Sequence, residues 1–417
     1  MNGVLSVGLY IHIPFCERKC PYCDFNSYAG LDALHAPYVE ALIAEMAWLV
    51  KRGEWQATTV FVGGGTPTVL PLSLLTRVLE AARAAFGIPP GAEVTVEANP
   101  GTVNEAYLAG LQAVGVNRLS LGAQSFHDDE LHLLGRIHTA AEIEAAFRAA
   151  RRAGFQNVGL DLIYGLPGQA VGRWCATLRR ALSLSPEHLS LYSLTIEDGT
   201  PLAEWIARGD LLSPDDDLAA DMYELAEEMM EGAGYVHYEI SNWARKTSCE
   251  FRVSSFEGRG ASWERRHAPG ESPFFCQHNL TYWRNEAYVG LGAGAHSSWG
   301  GRRWHNLLSP QGYVARMTAQ GNGEAPWDSP VVAGVEAIGE ALAMGETMML
   351  GLRLLEEGVP LARFAARFGR SVLNVYRDEL AALQAEGLLE RRPSRVRLTR
   401  RGRLLGNQVF GRFLPDA

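Results

Sequence analysis

No apolar run in this 417-residue chain approaches the ~20 residues that a membrane-spanning helix needs, which excludes an integral helical membrane protein. The opening residues, MNGVLSVGLY, lack a basic stretch and a cleavage site, so no secretory signal is read there. Positive charge is in short supply. Lys and Arg number 38 against 47 Asp and Glu, a formal net charge of -9 that argues against coating nucleic acid or an anionic membrane. The balance leaves room only for peripheral membrane contact. Cysteine is scarce too, at six residues. Without export these thiols face a reducing cytosol, where a close set points to metal rather than a disulfide frame. A cytoplasmic protein is expected. There is no low-complexity tract and no internal repeat beyond a strand–helix alternation. Hydrophobic content of 47% and charged content of 20% describe an ordinary globular protein with a sizeable core.

The first half of the chain alternates short apolar, β-branched runs with Ala-rich amphipathic stretches. VGLYIHI (7–13) is the first strand, and a helix runs from Pro37 through ALIAEMAWLVKRG. TTVFVGGG (58–65) follows, then a helix near 72–86, then EVTVEAN, RLSLGAQS, NVGLDLIYGLP and HLSLYSL, each pair separated by a helix. Six βα units fit between residues 7 and 195, where eight make a closed barrel. The expectation is an α/β chain with a partial, open six-unit βα barrel. Residues 1–235 form that core. Residues 236–330 extend it with further strands at YVHYEIS and YVGLGAG, interrupted by a polar Gly/Ser/Arg-rich insertion at 246–275. Residues 331–417 are expected to be helical, with a helix–turn–helix and a small β-wing, a winged-helix-like domain. Its arginine-dense end (Arg391 to Arg403) reads as a solvated wing rather than a DNA contact, given the acidic chain.

In a parallel barrel, function gathers where the strands end. The first strand ends at a cysteine loop and the second at Gly63-Gly64-Gly65-Thr66-Pro67. Glu97 and Asn99 close the third, Gln124 and Ser125 the fourth, and Tyr192 and Thr195 the sixth. Asp161 stands inside the apolar fifth strand, where a carboxylate needs a partner, and Arg136 is the candidate for it or for a shared ligand contact. The glycine run suits close backbone approach, with free N–H groups available to a carboxylate or phosphate. The later GLGAGA (290–295) lacks the last glycine of a dinucleotide fingerprint and opens no clear βαβ unit.

Cys16, Cys20 and Cys23 have the spacing C-x3-C-x2-C within HIPFCERKCPYCDF. Thiolates this close converge on one soft metal centre, either zinc or an iron–sulfur cluster. Zinc needs a fourth ligand, for which His12, Asp24 or the distant Cys276 are the candidates. A [4Fe–4S] cluster on three cysteines leaves one iron open, and Phe15, Tyr22 and Phe25 supply apolar cover. The spacing favours the cluster.

These cysteines, with GGGTPT after the second strand, resemble the radical S-adenosylmethionine (SAM) superfamily. YIHIPFC, VEANP, GAQSF, DLIYGLPGQ, HNLTYW and GLGAGAHS together resemble its HemN/HemW group, oxygen-independent coproporphyrinogen oxidase and its relatives, over nearly the whole chain. The 246–275 insertion matches nothing in that group. The resemblance implies that Cys16, Cys20 and Cys23 bind three irons of a [4Fe–4S] cluster while SAM chelates the fourth. It implies that Tyr10 and Tyr22 line the SAM site and that Gly64, Gly65 and Thr66 receive the methionine moiety. Glu97, Gln124, Arg136 and Asp161 match polar positions of the same pocket.

Within the group, true oxidases resemble C-x3-C-x2-C-x-C and carry a long segment before the first strand. This chain has Phe25 at the extra cysteine's position and reaches its first strand at Val7. HNLTYW matches the H-N-x-x-Y-W motif of the HemW branch, described as heme-binding chaperones without oxidase activity. The resemblance therefore implies a chaperone that passes heme to an acceptor protein, with His278 as heme ligand and His237, His296 and Cys276 as rivals. The small residues of GLGAGAHS are expected to let a macrocycle lie close to backbone at the barrel's open end. The competing readings are an oxidase that decarboxylates coproporphyrinogen III and a zinc-binding regulator whose winged-helix end touches DNA.

Overall fold

The computed structural model describes residues 4–246, 272–318 and 323–415. Its frame is one twelve-stranded sheet. In chain order the strands are β1 (Leu5–Ile13), β2 (Trp55–Gly64), β3 (Glu93–Ala98), β4 (Arg118–Gln124), β5 (Val158–Tyr164) and β6 (His188–Ser193). There follow β7 (Tyr235–Glu239), β8 (Asn242–Arg245), β9 (Tyr288–Leu291), β10 (His296–Trp299), β11 (Arg302–Asn306) and β12 (Val332–Ala337). Their spatial order is β12-β11-β10-β9-β1-β2-β3-β4-β5-β6-β8-β7. From β9 through β6 every neighbouring pair is parallel, while both flanks are antiparallel. The six expected βα units are all present, and among the described residues the sheet stays open.

The period-2 alternation of these strands decides what faces inward. In β4, Leu119, Leu121 and Ala123 are buried against the outer helices, while Arg118, Ser120, Gly122 and Gln124 line a central cavity. In β5 and β6, Leu160, Leu162, Leu189 and Leu191 pack outward, while Asp161 and Ser190 face in. The outer layer comprises the helices His35–Val50, Leu72–Phe86, Glu105–Ala113, Ala140–Arg152 and Val171–Ser183. Their buried faces, with Leu75, Phe86, Leu111, Phe147 and Trp174, join the sheet in one core. Local chemistry starts them in register: Thr139 and Glu142 form a reciprocal capping box, and Asn104 accepts from the Tyr107 N–H.

Residues 332–337 correct the expectation of helix from 331. VAGVEA forms the edge strand β12, because its alternating β-branched residues pair with β11, and helix begins at Glu340. The strands β8, β10 and β11 were not expected either, since HSSW, RRWHN and NWAR show no clean apolar alternation. Most of the polar insertion expected at 246–275, residues 247–271, lies outside the described residues.

Beyond Glu340 the chain builds a second core around Phe364, Leu383, Val396 and Phe410. Helices Leu361–Phe368, Val372–Val375 and Arg377–Ala385 lead into a wing of Leu389–Arg392 and Arg395–Leu398, which also pairs with Val359–Pro360. Arg397 pairs with Glu390 and Glu356, Arg412 with Glu386, and Arg400 and Arg403 with Glu227 of the helix Asp216–Gly232. Those four guanidinium groups are thus engaged within the chain. No helix of the described residues is long and apolar enough to cross a membrane.

Candidate functional site

The carboxyl ends of the strands surround a cavity of about 510 Å³. At its mouth, Cys16 closes a two-residue strand paired with Tyr28–Ala29, and Cys20 and Cys23 sit on the intervening loop. All three cysteines are free, half-buried and in the cavity wall. Burial pushes the Cys16 and Cys23 thiols up, while Thr66 (Oγ1 3.6 Å from Cys16 Sγ) and Ser27 oppose the rise at Cys16. Arg136 Nη1 lies 3.4 Å from Cys20 Sγ, a charged donor aimed at sulfur.

Three thiols facing one cavity fit a cluster with an open iron better than tetrahedral zinc. The fourth ligand that zinc needs is missing from two of its three candidates. His12 is spent on Tyr10 OH (2.9 Å) and Asn26 O (2.9 Å). Cys276 is fully buried elsewhere, its thiol 3.6 Å from Glu93. Among the described residues, no three His, Cys, Asp or Glu side chains converge tightly enough for a single ion.

The glycine turn is shaped by close approach. Gly64 has φ +114°, where a Cβ would fall 2.6 Å from the His12 ring, and a Cβ on Gly65 would fall 2.6 Å from Phe15 O. One expectation fails here. The turn's N–H groups are not free, since Gly64 donates to Glu97 Oε2 (3.2 Å), Gly65 to Ile13 O (2.9 Å) and Thr66 to Phe15 O (2.7 Å). The turn clamps the cysteine loop and shapes the wall beside it.

Along that wall, Asp161 accepts from Ser120 Oγ, 3.0 Å to each carboxylate oxygen. Arg136 is not its hydrogen-bonded partner: it donates to Gly122 O (3.0 Å) and Cys20 instead, leaving only longer-range attraction to Asp161. Burial, then the nearby Asp161, pushes the Glu97 carboxyl up to about 8, so it holds a proton at neutral pH. Gln124 sits at φ 68° beside a bulge in β4, an uncommon conformation for a side-chain-bearing residue and one found at ligand sites. Tyr10 and Tyr22 line the same space.

At the far end, the helix Gln277–Trp283 packs on β1 at Gly8, on β2 at Thr59 and on β3 at its first residue, Glu93. Glu93, the first residue of β3, accepts the Gln277 and His278 N–H groups at 3.0 Å each and so fixes the helix start. His278 is buried, with Thr59 Oγ1 2.9 Å from Nδ1 and Tyr282 OH 2.9 Å from Nε2. Its ring stacks on Phe61 and Tyr10, at centroid distances of 5.3 and 6.4 Å. Burial and then the Arg118 charge drive its pKa down to about 3, so the imidazole is neutral.

The radical SAM superfamily pattern matches residues 10–181, and the HemN C-terminal domain matches residues 342–405. A protein of Bacillus subtilis named heme chaperone HemW is 38% identical over 98% of this chain and 99% of its own length. The Escherichia coli protein of that name is 34% identical, with 98% of each chain covered. The chain belongs to the HemW family. Coproporphyrinogen III oxidase (HemN) of Escherichia coli, a radical SAM enzyme, has the same fold, with a TM-score of 0.80 and 23% identity, covering 98% of this chain and 90% of that one.

As a radical SAM protein, a HemW chain is implied to hold a [4Fe–4S] cluster and SAM, and this cavity has the parts for both. It gathers Cys16, Cys20, Cys23, Tyr10, Tyr22, Gly64, Gly65, Thr66, Glu97, Gln124, Arg136, Asp161 and His278 in one wall. One HemW-related expectation is corrected: the glycines of GLGAGAHS make room for protein rather than for a macrocycle. A Cβ on Gly292 would meet Tyr38 OH at 2.5 Å and His12 O at 2.6 Å, and one on Gly294 would meet Asn26 at 2.4 Å. Of the rival heme ligands, His237 stacks on Trp243, His296 stacks on His305, and neither lines the cavity. Sequence reading passed over Arg118, Ser120, Phe61 and Glu93. The available signal was a charge at the head of two apolar strands, RLSLG and EVTVEA.

Proposed function

We propose that this chain is a heme chaperone: it binds heme together with a SAM-ligated [4Fe–4S] cluster and passes the heme to an acceptor protein. The observation that carries this reading is that one cavity joins the three cysteines at its mouth to His278, Asn279 and Tyr282 of HNLTYW at its floor. Relatives similar over nearly their whole length bear the name heme chaperone. Cys16, Cys20 and Cys23 would hold the cluster, which when bound would supply an iron to take the amino and carboxylate groups of SAM. Arg136 supports the loop through Cys20. Protonated Glu97 and the Ser120-held Asp161 offer a donor and an acceptor to the adenosyl and methionyl polar groups. His278, neutral at physiological pH, is the heme ligand, and it is freed for iron when Tyr282, its partner on the cavity side, gives way. We place the protein in the cytoplasm.

The second reading, an oxygen-independent coproporphyrinogen III oxidase, shares the fold. Position 25 weighs against it, for an exposed phenylalanine (64% accessible) stands there beside the cluster loop. Anaerobic reconstitution with absorption spectra, with and without heme, tests the proposal. An added Soret band with no conversion of coproporphyrinogen III supports it. Absence of heme binding by the cluster-loaded protein refutes it.

A further inference from the structure

Arg118 opens β4 and is 2% exposed, yet it lines the cavity. Among the described residues its guanidinium forms no hydrogen bond and no ion pair, and its Nε is fully buried without a partner. Leaving such a group unpaired in the interior is costly, and native folds rarely do so without a use for it. The acidic groups acting on Arg118 are Cys276, Glu93, Tyr238 and Asp161. Their acceptor atoms are engaged elsewhere. Glu93 serves Gln277 N, His278 N and the Cys276 thiol, Asp161 is held by Ser120, and Tyr238 OH bonds His188 and Cys276 N. What remains is a fixed, always-charged planar fork at the floor of a cavity, the geometry that takes a carboxylate through two parallel N–H···O bonds.

We propose that Arg118 is a carboxylate-anchoring site at the cavity floor, where it binds a propionate of the porphyrin held beside His278. This deepens the chaperone reading and rests on it. Two carboxylates could reach the cavity: the methionyl carboxylate of SAM and a porphyrin propionate. The first belongs at the cysteine mouth, where Cys16, Cys20 and Cys23 would hold the cluster that binds SAM. Arg118 lies instead at the end that carries His278 and Tyr282, and its charge is felt by the His278 ring. Period 2 along β4 makes the placement obligatory, since Ser120, Gly122 and Gln124 follow it up the same wall.

The test uses the full-length, cluster-reconstituted protein, titrated anaerobically with iron(III) mesoporphyrin and with its dimethyl ester. Wild type should bind the free acid roughly ten- to hundredfold more tightly than the ester, as a charged bidentate contact implies. Arg118→Gln should bring the free acid down to the level of the ester and leave the ester unchanged, while Arg118→Lys keeps part of the preference. The SAM-induced change in the cluster EPR signal should persist in Arg118→Gln. Equal binding of acid and ester by wild type overturns the proposal while leaving heme binding intact. It is also overturned if Arg118→Gln loses the SAM response and keeps the porphyrin preference. If wild type binds neither porphyrin, the chaperone reading falls with it. The comparison within wild type requires no variant to fold.

Discussion

Tyr282→Phe removes one oxygen from the cavity floor and little else. The phenol of Tyr282 is 2.9 Å from His278 Nε2, and Tyr282, unlike Thr59, lines the cavity. Its ring stands edge-on to His278 (centroids 5.0 Å apart, 88°) and to Tyr288 (4.7 Å, 83°), contacts that phenylalanine keeps. If Nε2 is the atom that takes heme iron, the wild-type protein must break this hydrogen bond on binding. A neutral buried hydrogen bond is worth about 1 kcal/mol net, so its loss before binding should tighten heme by roughly two- to tenfold. Burial also leaves the freed nitrogen short of a partner in the heme-free state, which acts in the same direction. The assay is a Soret titration of Tyr282→Phe and wild type, both cluster-loaded. Thr59→Val serves as the contrast: it loosens the ring from the Nδ1 side, outside the cavity, and should weaken heme or leave it unchanged. Unaltered or weaker heme binding by Tyr282→Phe refutes Nε2 as the ligand.

The remaining predictions address the cluster, SAM, the oxidase reading and pH. Reconstituted protein should carry about four irons per chain, and Cys20→Ala should abolish the cluster absorption; stoichiometric zinc without iron uptake in protein purified anaerobically would count against the cluster. Asp161→Ala should blunt the SAM-induced change in the cluster EPR signal while iron content stays near normal, and an undiminished response would remove Asp161 from the SAM site. Coproporphyrinogen III should remain unconverted by the cluster-loaded protein under anaerobic, reducing conditions, and robust conversion would move the chain to the oxidase reading. Glu45, buried where it accepts from Gly292 N and Asn306, has its carboxyl pushed by burial from 4.5 up to about 7. The folded protein then holds this proton more tightly than the unfolded chain. Its stabilising contribution is complete below pH 4.5 and is lost as pH rises through 7. Glu45→Gln should flatten that loss by about 3 kcal/mol at 1.36 kcal/mol per pH unit, read from urea melts across the window; an identical slope in both proteins excludes Glu45 as the source.

The upper half of the site was legible because each signal was local. Cys16, Cys20 and Cys23 lie within eight positions of one another, and GGGTPT follows a strand whose apolar run announces itself. Glu97 and Gln124 stood out because they end recognisable strands, and Asp161 because it is a carboxylate inside an apolar run. Local signals misled where tertiary contacts decided the outcome. The N–H groups of Gly64, Gly65 and Thr66 read as free because their acceptors, Glu97, Ile13 and Phe15, belong to other strands or loops. Arg136 read as the partner of Asp161 because both are charged residues near strand ends. The structure gives that place to Ser120, a residue with no charge to draw notice.

The floor of the cavity was illegible for a different reason. Thr59, Glu93, Arg118 and His278 come from four separate elements, and of the four only His278 belongs to a motif with its sequence neighbours. Only the helix Gln277–Trp283, folded back against the amino-terminal parts of the strands, brings them together. HNLTYW announced a histidine but not what would surround it. Glu93 at the head of EVTVEA looks like a solvated strand start, yet its carboxylate holds two backbone N–H groups of a helix 184 and 185 positions away in sequence. That long-range cap sets where the His278 ring sits. The ring's neutrality in turn follows from its burial and from Arg118, a residue that sequence alone gave no reason to place inside. A charge at the first residue of an otherwise apolar parallel strand is the one signal available for both. In an open barrel the inner ends of such strands are sealed from solvent only when something plugs them, so the plug and the charges beneath it have to be read together.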